Sequence, residues 1–188
     1  DDKDKIADYI ERISLRLPQY VFGNGENSLS KVVGDLLIKE DLTLGTVESC
    51  TGGAMANEIV SIAGASQYFR GSFVSYANEI KTSLVGINKD DINKHGAVSE
   101  TIVKQMAQNG REKLNVDYCL STSGIAGPNG GTEQKPVGLV WIGMAGPSGV
   151  VAKKFQFGNA RDRNVRRTIL TALNLLRCDL LKINIEKS

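Results

Sequence analysis

The 188-residue chain is long enough to bury a substantial core as one domain, and its 41% hydrophobic and 23% charged content is typical of a soluble globular protein. Lys and Arg together number 23 against 21 Asp and Glu, a balance too even for a general nucleic-acid or membrane-binding surface. No apolar stretch reaches the roughly 18 residues of a membrane span, and no signal peptide is recognisable. We therefore expect a cytoplasmic protein whose partners are small molecules, with no nucleic acid and no membrane among them.

Cysteine and histidine usage limits the chemistry further. Cys50, Cys119 and Cys178 are odd in number and widely separated, so we expect free thiols rather than a disulfide framework. His95 is the only histidine, which excludes a zinc site that needs two or three histidines. We expect neither a metal nor a cofactor.

The N-terminal 27 residues differ in character from the rest. "DKIADYIERISLRL" has apolar residues at helical spacing and ends before Pro18, which predicts an amphipathic helix. "FGNGENS" nearly matches the dinucleotide-binding GxGxxG pattern, but Ser28 replaces the third glycine and no strong strand precedes it. We interpret 1–27 as a helical extension or the remnant of a linker to a missing domain, and 28–188 as the main domain.

Beyond Ser28, strands alternate with helices. Ser28 or Ser30 is expected to cap a first helix, and Ser99 a longer one, "SETIVKQMAQNGREKL". The segments "LTLGTVESC", "GSFVSY", "DYCLSTSG", "VGLVWIGM" and "GVVAKKFQF" have the pattern of strands, and the segments "GGAMANEIVSIAG", "ANEIKTSLVG" and "RDRNVRRTILTALNLLRCDLLKI" that of helices. This order predicts a three-layer α/β/α sandwich with a mixed, mostly parallel sheet of about five strands, in which 137–157 forms one antiparallel hairpin.

The turn "VESCTGG" presents a serine, a cysteine and a threonine where a strand enters a helix. Backbone N–H groups of Thr51, Gly52 and Gly53 at the helix start could form an oxyanion hole, and the helix dipole would favour negative charge there. The alternative is a tight turn whose glycines only permit unusual dihedral angles.

Three more polar clusters lie where strands end: "SYANEIK" with Tyr76 and Lys81, the glycine-rich loop "SGIAGPNGGTEQKPVG", and the arginine group Arg161, Arg163, Arg166 and Arg167. Ligands of open α/β sheets bind beyond the carboxyl ends of strands, so the clusters are expected to converge on one crevice. Taken singly, each has a plainer interpretation, such as a solvated lysine or an exposed helix face.

Taken together, the motifs carry a resemblance. "TVESCTGG", "GSFVSYANEIK", "HGAVSE" and "SGIAGPNGGTEQKPVG" resemble the C-terminal domain of the competence/damage-inducible protein CinA, from about Ser28 to Leu181. Stand-alone relatives of that domain are nicotinamide mononucleotide deamidases. The resemblance implies hydrolysis of the carboxamide of nicotinamide mononucleotide to nicotinic acid mononucleotide and ammonia. It carries the nucleophile to Ser49, a tyrosine to Tyr76 and a lysine to Lys81.

A serine hydroxyl needs a base, and with one histidine in the chain a neutral lysine is available for that role. The glycine loop, with Gly124, Gly127, Gly130 and Gly131, would hold the ribose and phosphate. Lys135, Arg161 or Arg163 would neutralise the phosphate, although Asp162 stands where relatives usually carry an arginine.

Two other hypotheses stay open at this point. Cys50 paired with His95 would make a cysteine amidase, because helix N-termini lower thiol pKa values. A non-catalytic domain that binds a nucleotide or a partner protein in competence and DNA-damage responses would retain the fold without the activity. We also expect a homo-oligomer and allow for an N-terminal domain outside this chain.

Overall fold

The computed structural model describes residues 2–23, 25 and 27–184. The first residue of the predicted extension, two residues of the near-GxGxxG stretch and the last four residues of the predicted main domain lie outside this range. The helices are α1 (Asp2–Arg16), α2 (Leu29–Lys39), α3 (Ala54–Val60), α4 (Asn78–Ile80), α5 (Lys89–His95), α6 (Glu100–Leu114) and α7 (Arg161–Leu180), and the strands are β1 (Leu44–Glu48), β2 (Phe69–Val74), β3 (Tyr118–Gly124), β4 (Leu139–Gly146) and β5 (Gly149–Gln156).

The five strands form one mixed sheet in the order β2-β1-β3-β4-β5. β1 pairs in parallel with both β2 and β3, whereas β3–β4 and β4–β5 are antiparallel, so 137–157 contains the predicted hairpin. Glu48 at the end of β1 aligns with Val74 of β2 and with Thr122 of β3. The carboxyl ends of the three parallel strands therefore meet at one edge of the sheet.

Helices cover both faces of this sheet, which confirms the predicted three-layer fold. One core lies beneath α2, α3 and α7 and contains Leu37, Met55 and Leu173. The other lies beneath α5 and α6 and contains Val47, Ile102 and Met106. Because both faces of the sheet are covered, β1 is buried at every residue and β3 at all but its last, so burial does not alternate along either strand.

Local capping explains where the longer helices begin. The hydroxyl of Ser28 accepts the N–H of Lys31 at the start of α2, and that of Ser99 accepts the N–H of Ile102 at the start of α6. The segment predicted as one short helix divides into α4 and a π-helical turn over Lys81–Val85. Helix α5 has no counterpart in the sequence predictions, because it is short and Ile92 is its one buried residue.

The predicted N-terminal helix forms as α1, and the segment after it is held against α7. Arg177, which is buried, donates to the carbonyls of Pro18 and Val21, and Asn174 donates to that of Gln19. These bonds fix residues 18–21 on the domain. Among the described residues, no helix combines the length and apolarity that crossing a membrane requires.

Candidate active site

A pocket of about 280 Å³ lies at the sheet edge where the parallel strands end. Ser49 follows β1, Tyr76 follows β2 and Gly124 ends β3, so strand pairing alone brings three of the predicted motifs to one place. The pocket is lined by Ser49, Cys50, Tyr76, Asn78, Lys81, Ala97, Val98, Ser123, Gly124, Ile125, Ala126, Gly127, Asn129, Gly130 and Arg161. We call it the Ser49 pocket.

Ser49 and Lys81 are in direct contact there, although they are 32 residues apart in sequence. The Nζ atom of Lys81 lies 3.1 Å from Oγ of Ser49, 2.7 Å from the carbonyl oxygen of Ser75 and 3.1 Å from that of Tyr76. Lys81 is the first residue of the π-helical turn and is 1% exposed. π-Bulges occur frequently at functional sites, and this one directs a lysine inward.

The surroundings of Lys81 favour its neutral form. Burial lowers the pKa of its amine, and the nearby Cys50 and Glu79 oppose that shift only in part. A neutral amine has two N–H donors and one lone pair. The charged amine donates to all three neighbours, the carbonyl oxygens of Ser75 and Tyr76 and the hydroxyl of Ser49. In the neutral form two N–H groups serve the carbonyls and the lone pair is left for the Ser49 hydroxyl proton. The same geometry therefore lets Lys81 act as a base once it has lost its proton.

Tyr76 reaches the pair through its backbone. Its carbonyl accepts from Lys81, while its side chain lines the pocket and is 62% exposed. The phenolic oxygen forms no hydrogen bond with any residue that the structure describes, so the predicted clustering of three side chains reduces to a serine–lysine pair bordered by a tyrosine ring.

The turn that presents Ser49 is organised by Glu48, a residue that the sequence reasoning missed. Glu48 is fully buried, and its carboxylate accepts the backbone N–H groups of Gly53 and Met55 at 3.0 Å and that of Ala56 at 2.8 Å. Gly52 and Gly53 have φ angles of +60° and +95°, a conformation that favours glycine and bends the chain over the carboxylate. The start of α3 is thus occupied by an anion from the chain itself.

This arrangement corrects the predicted oxyanion hole. The N–H of Gly53 donates to Glu48 and that of Gly52 to the carbonyl of Ser49, so neither is free for a substrate oxygen. Within the described part of the chain, the N–H groups of Cys50 and Thr51 donate to no oxygen. The side chain of Thr51 is engaged with Thr122 at 2.8 Å.

The alternative nucleophile, Cys50, is not paired with the histidine that its hypothesis requires. Burial raises the pKa of the Cys50 thiol to about 12, which keeps it protonated near neutrality. His95 is exposed at the end of α5 and does not line the pocket. All three cysteines are buried and free, as the sequence predicted.

Some of the predicted residues of the glycine loop and the arginine group line the Ser49 pocket, and others lie outside it. Gly124, Gly127, Gly130 and Arg161 line the pocket, and Nη1 of Arg161 donates to the carbonyl of Gly127 at 3.2 Å. Asn164, buried in the first turns of α7, donates to the carbonyls of Ala126 and Gly158 and fixes the loop.

Three predicted substrate-binding residues lie elsewhere. A Cβ on Gly131 would lie 2.7 Å from the backbone nitrogen of Val137, so this glycine serves close packing inside the loop. Nζ of Lys135 donates to the carbonyl of His95 at 2.8 Å, which ties the loop to α5. Arg163 is exposed and lines no described part of the pocket.

Asn78, Ser123 and Asn129 also line the pocket and were not predicted. The sequence offered little indication of their role, because each is a common polar residue in a motif that was identified by other residues. Glu48 carried a stronger signal, a carboxylate at the end of an otherwise apolar strand and just before a helix start. In the described residues, no three His, Cys, Asp or Glu side chains are grouped so as to hold a metal ion.

Fold and site together define an α/β domain with a buried serine–lysine pair at the carboxyl edge of its parallel strands. The family model described as the CinA C-terminal domain matches residues 26–180, and the chain belongs to this family.

Relatives and solved structures agree with that membership. The chain is 44% identical over 179 residues to a CinA-like protein of Cytophaga hutchinsonii, a match that covers 95% of this chain and 43% of that protein. It is 48% identical over 163 residues to a CinA-like protein of Trichormus variabilis, a match that covers 85% of this chain and 39% of that protein. It therefore spans less than half the length of these relatives.

Two crystal structures share the fold. A CinA superfamily protein from Klebsiella pneumoniae superposes with a TM-score of 0.79 at 27% identity, over 82% of this chain and 96% of that one. A competence/damage-inducible protein from Agrobacterium tumefaciens superposes with a TM-score of 0.76 at 30% identity, over 85% and 99%.

Proposed function

We propose that this protein is a nicotinamide-nucleotide amidase, which hydrolyses nicotinamide mononucleotide to nicotinic acid mononucleotide and ammonia. One observation carries the proposal: the buried amine of Lys81 lies 3.1 Å from Oγ of Ser49 inside a pocket. A hydrolysable carboxamide needs a nucleophile with a base in contact, and this pair supplies both. Membership of the CinA family supports this substrate class.

In the first step, Oγ of Ser49 attacks the carboxamide carbon while the neutral amine of Lys81 takes the hydroxyl proton. The carbonyl oxygen of the substrate becomes an oxyanion. The N–H groups of Cys50 and Thr51 are the donors left in the turn to stabilise it, because those of Gly52 and Gly53 are already engaged.

In the second step, the ammonium of Lys81 returns its proton to the leaving nitrogen, the C–N bond breaks and ammonia departs. A water molecule then attacks the acyl group on Ser49, and Lys81 accepts one proton of that water. When the bond between the acyl carbon and Oγ breaks, Lys81 returns this proton to Oγ and Ser49 is regenerated. The nicotinic acid group releases the second proton of the water to solvent and leaves as a carboxylate. The scheme uses no cofactor and no metal.

The phosphate of the substrate would bind at Arg161. One N–H of its guanidinium holds the carbonyl of Gly127, and the others remain available for phosphate oxygens. Gly127 and Gly130 line the wall beside it without side chains, which permits close approach of the ribose. We further propose a cytoplasmic enzyme, because three buried cysteines remain unpaired.

The direct test incubates the purified chain with nicotinamide mononucleotide and measures ammonia together with nicotinic acid mononucleotide by chromatography. Ser49→Ala is expected to abolish both products, because only the attacking oxygen is removed. Ser83→Ala, a serine exposed on the same π-helical turn as Lys81, is the matched control and should stay active. Full activity in Ser49→Ala would overturn the proposed mechanism.

A binding domain without catalysis is the second candidate, favoured by the name of the Agrobacterium tumefaciens relative, a competence/damage-inducible protein. It predicts that the wild-type chain binds nicotinamide mononucleotide in calorimetry and releases no ammonia. Product formation that depends on Ser49 would exclude it.

A further inference from the structure

A second and larger cavity, of about 780 Å³, lies between α7, β5 and the N-terminal segment. It shares no lining residue with the Ser49 pocket, and its volume is within the range of about 300–1,000 Å³ typical of ligand sites. We call it the aromatic cavity and define it by Tyr20, Phe22, Lys153, Phe155, Phe157, Arg166 and Arg167. Nothing in the proposed amidase mechanism uses it.

Aromatic rings from two parts of the chain line it. Phe155 and Phe157 stack with their centroids 5.7 Å apart and their planes 12° apart. Tyr20 and Phe22 of the N-terminal segment line the same cavity and are 63% and 39% exposed. Large aromatic surfaces left in water are unfavourable unless something covers them, and flat rings suit a planar ligand.

The segment that carries Tyr20 and Phe22 is held in place by the fold. Tyr20 and Phe22 belong to the segment whose carbonyls at Pro18 and Val21 accept from the buried Arg177. Asn174, which lines the cavity, donates to the carbonyl of Gln19. The wall is therefore preformed rather than part of a free strand of chain.

Positive charge is the second property of the cavity. Lys153, Arg166 and Arg167 line it, and none of them forms an ion pair with a residue that the structure describes. Arg167 stacks its guanidinium 4.8 Å from the centroid of the Phe157 ring, which orients it and leaves its N–H groups available. The one lining carboxylate, Glu58, accepts from the hydroxyl of Ser30 at 2.6 Å. Among the lining residues, three cations therefore face one carboxylate.

We propose that the aromatic cavity is a second nucleotide-binding site, which holds a planar base against its aromatic rings and a phosphate at Arg166, Arg167 and Lys153. The positive charge of the cavity favours a nucleotide over an apolar protein surface as the occupant. An apolar protein surface would remove the three cations from water and give them no negative partner, whereas a phosphate supplies one. The site stands independently of the amidase proposal.

Calorimetry with adenosine 5′-monophosphate tests the site in the Arg161→Ala background, where the arginine of the Ser49 pocket is absent. We expect one remaining site in that protein. Adding Arg166→Gln and Arg167→Gln should weaken binding by about a hundredfold, roughly tenfold for each charge-assisted contact. Adding Arg163→Gln, on the same helix and outside both cavities, should change it less than twofold.

Ligand halves and a ring variant complete the test. Adenosine and ribose 5-phosphate should each bind at least about tenfold more weakly than the nucleotide. Because Arg167 also packs on Phe157, circular dichroism checks that the double variant folds, and Phe22→Leu gives a second route with an expected loss of about fivefold or more. The proposal fails if Arg161→Ala alone removes all binding, if the folded double variant and Phe22→Leu both bind as the background does, or if ribose 5-phosphate binds as tightly as the nucleotide.

Discussion

Replacing Glu48 with glutamine should destabilise the fold and slow the proposed reaction, although the change is one atom. The buried carboxylate accepts three backbone N–H groups, with Oε2 taking those of Gly53 and Met55 and Oε1 taking that of Ala56. A glutamine can place its oxygen where Oε2 lies. Its amide nitrogen then faces the N–H of Ala56, donor against donor.

The magnitude follows from those contacts. Hydrogen bonds to a charged group are worth about 1.5–3 kcal/mol, and a buried donor left without a partner costs about 1–3 kcal/mol. Glu48→Gln loses one bond outright, weakens two by removing the charge and leaves the N–H of Ala56 unpaired. We expect a loss of about 2–4 kcal/mol in the free energy of unfolding.

Urea denaturation measures this loss. With a slope of about 2–3 kcal/mol per molar urea, the midpoint should fall by about 1 M with the slope unchanged. Glu40→Gln, an exposed carboxylate at the end of α2, is the matched control and should shift it little. Because Ser49 is the next residue, kcat should fall more than KM rises. A Glu48→Gln protein within about 0.5 kcal/mol of wild type would refute the reasoning, since that is the range of surface substitutions.

Four further outcomes are expected. Cys50→Ala should keep its activity, and the Cys50 thiol should resist alkylation at pH 8 until the protein unfolds, because burial raises its pKa to about 12. Since burial lowers the pKa of Lys81 and only its neutral form accepts a proton, kcat/KM should rise with pH through that pKa and then level off; a profile flat from pH 6 to pH 10 would contradict this. Ser49→Ala and Lys81→Met should each abolish turnover, and the double variant should be no slower than either, as kinetic analysis of all three would show. Arg161→Ala should raise KM for the mononucleotide more than it lowers kcat, and unchanged steady-state kinetics would remove Arg161 from phosphate binding.

The sheet and its helices were predictable because the signals are local. Apolar residues recur with a period of two in strands and 3.6 in helices, and Ser28 and Ser99 mark helix starts, so these signals can be recognised within a few consecutive residues. The meeting of Ser49 with Lys81 followed from the resemblance, and parallel pairing of β1 with β2 gives it a physical basis. Strands that run parallel end at the same edge, so residues after them become neighbours.

The direction of individual groups could not be predicted in the same way. Arg161 and Arg163 are two positions apart on α7, which rotates their side chains by about 200° relative to each other, and one of them faces the pocket. Choosing between them requires the rotation of the helix against the sheet. The hydrogen-bond partners of the Gly52 and Gly53 N–H groups could not be predicted either. They depend on the path of the turn and on the side-chain orientation of the buried Glu48.

The position of Glu48 changes how charge is handled in the proposed reaction. A helix start can stabilise an oxyanion, but the carboxylate of Glu48 already accepts three N–H groups at the start of α3. Stabilisation of the intermediate then depends on local donors and on Lys81, which becomes a cation next to Ser49 at the moment when the oxyanion forms. In a buried site such a pair of opposite charges interacts more strongly than in water. Lys81 would thus act as the base and, once protonated, as the counter-ion, which explains how a chain with one exposed histidine can dispense with a histidine base.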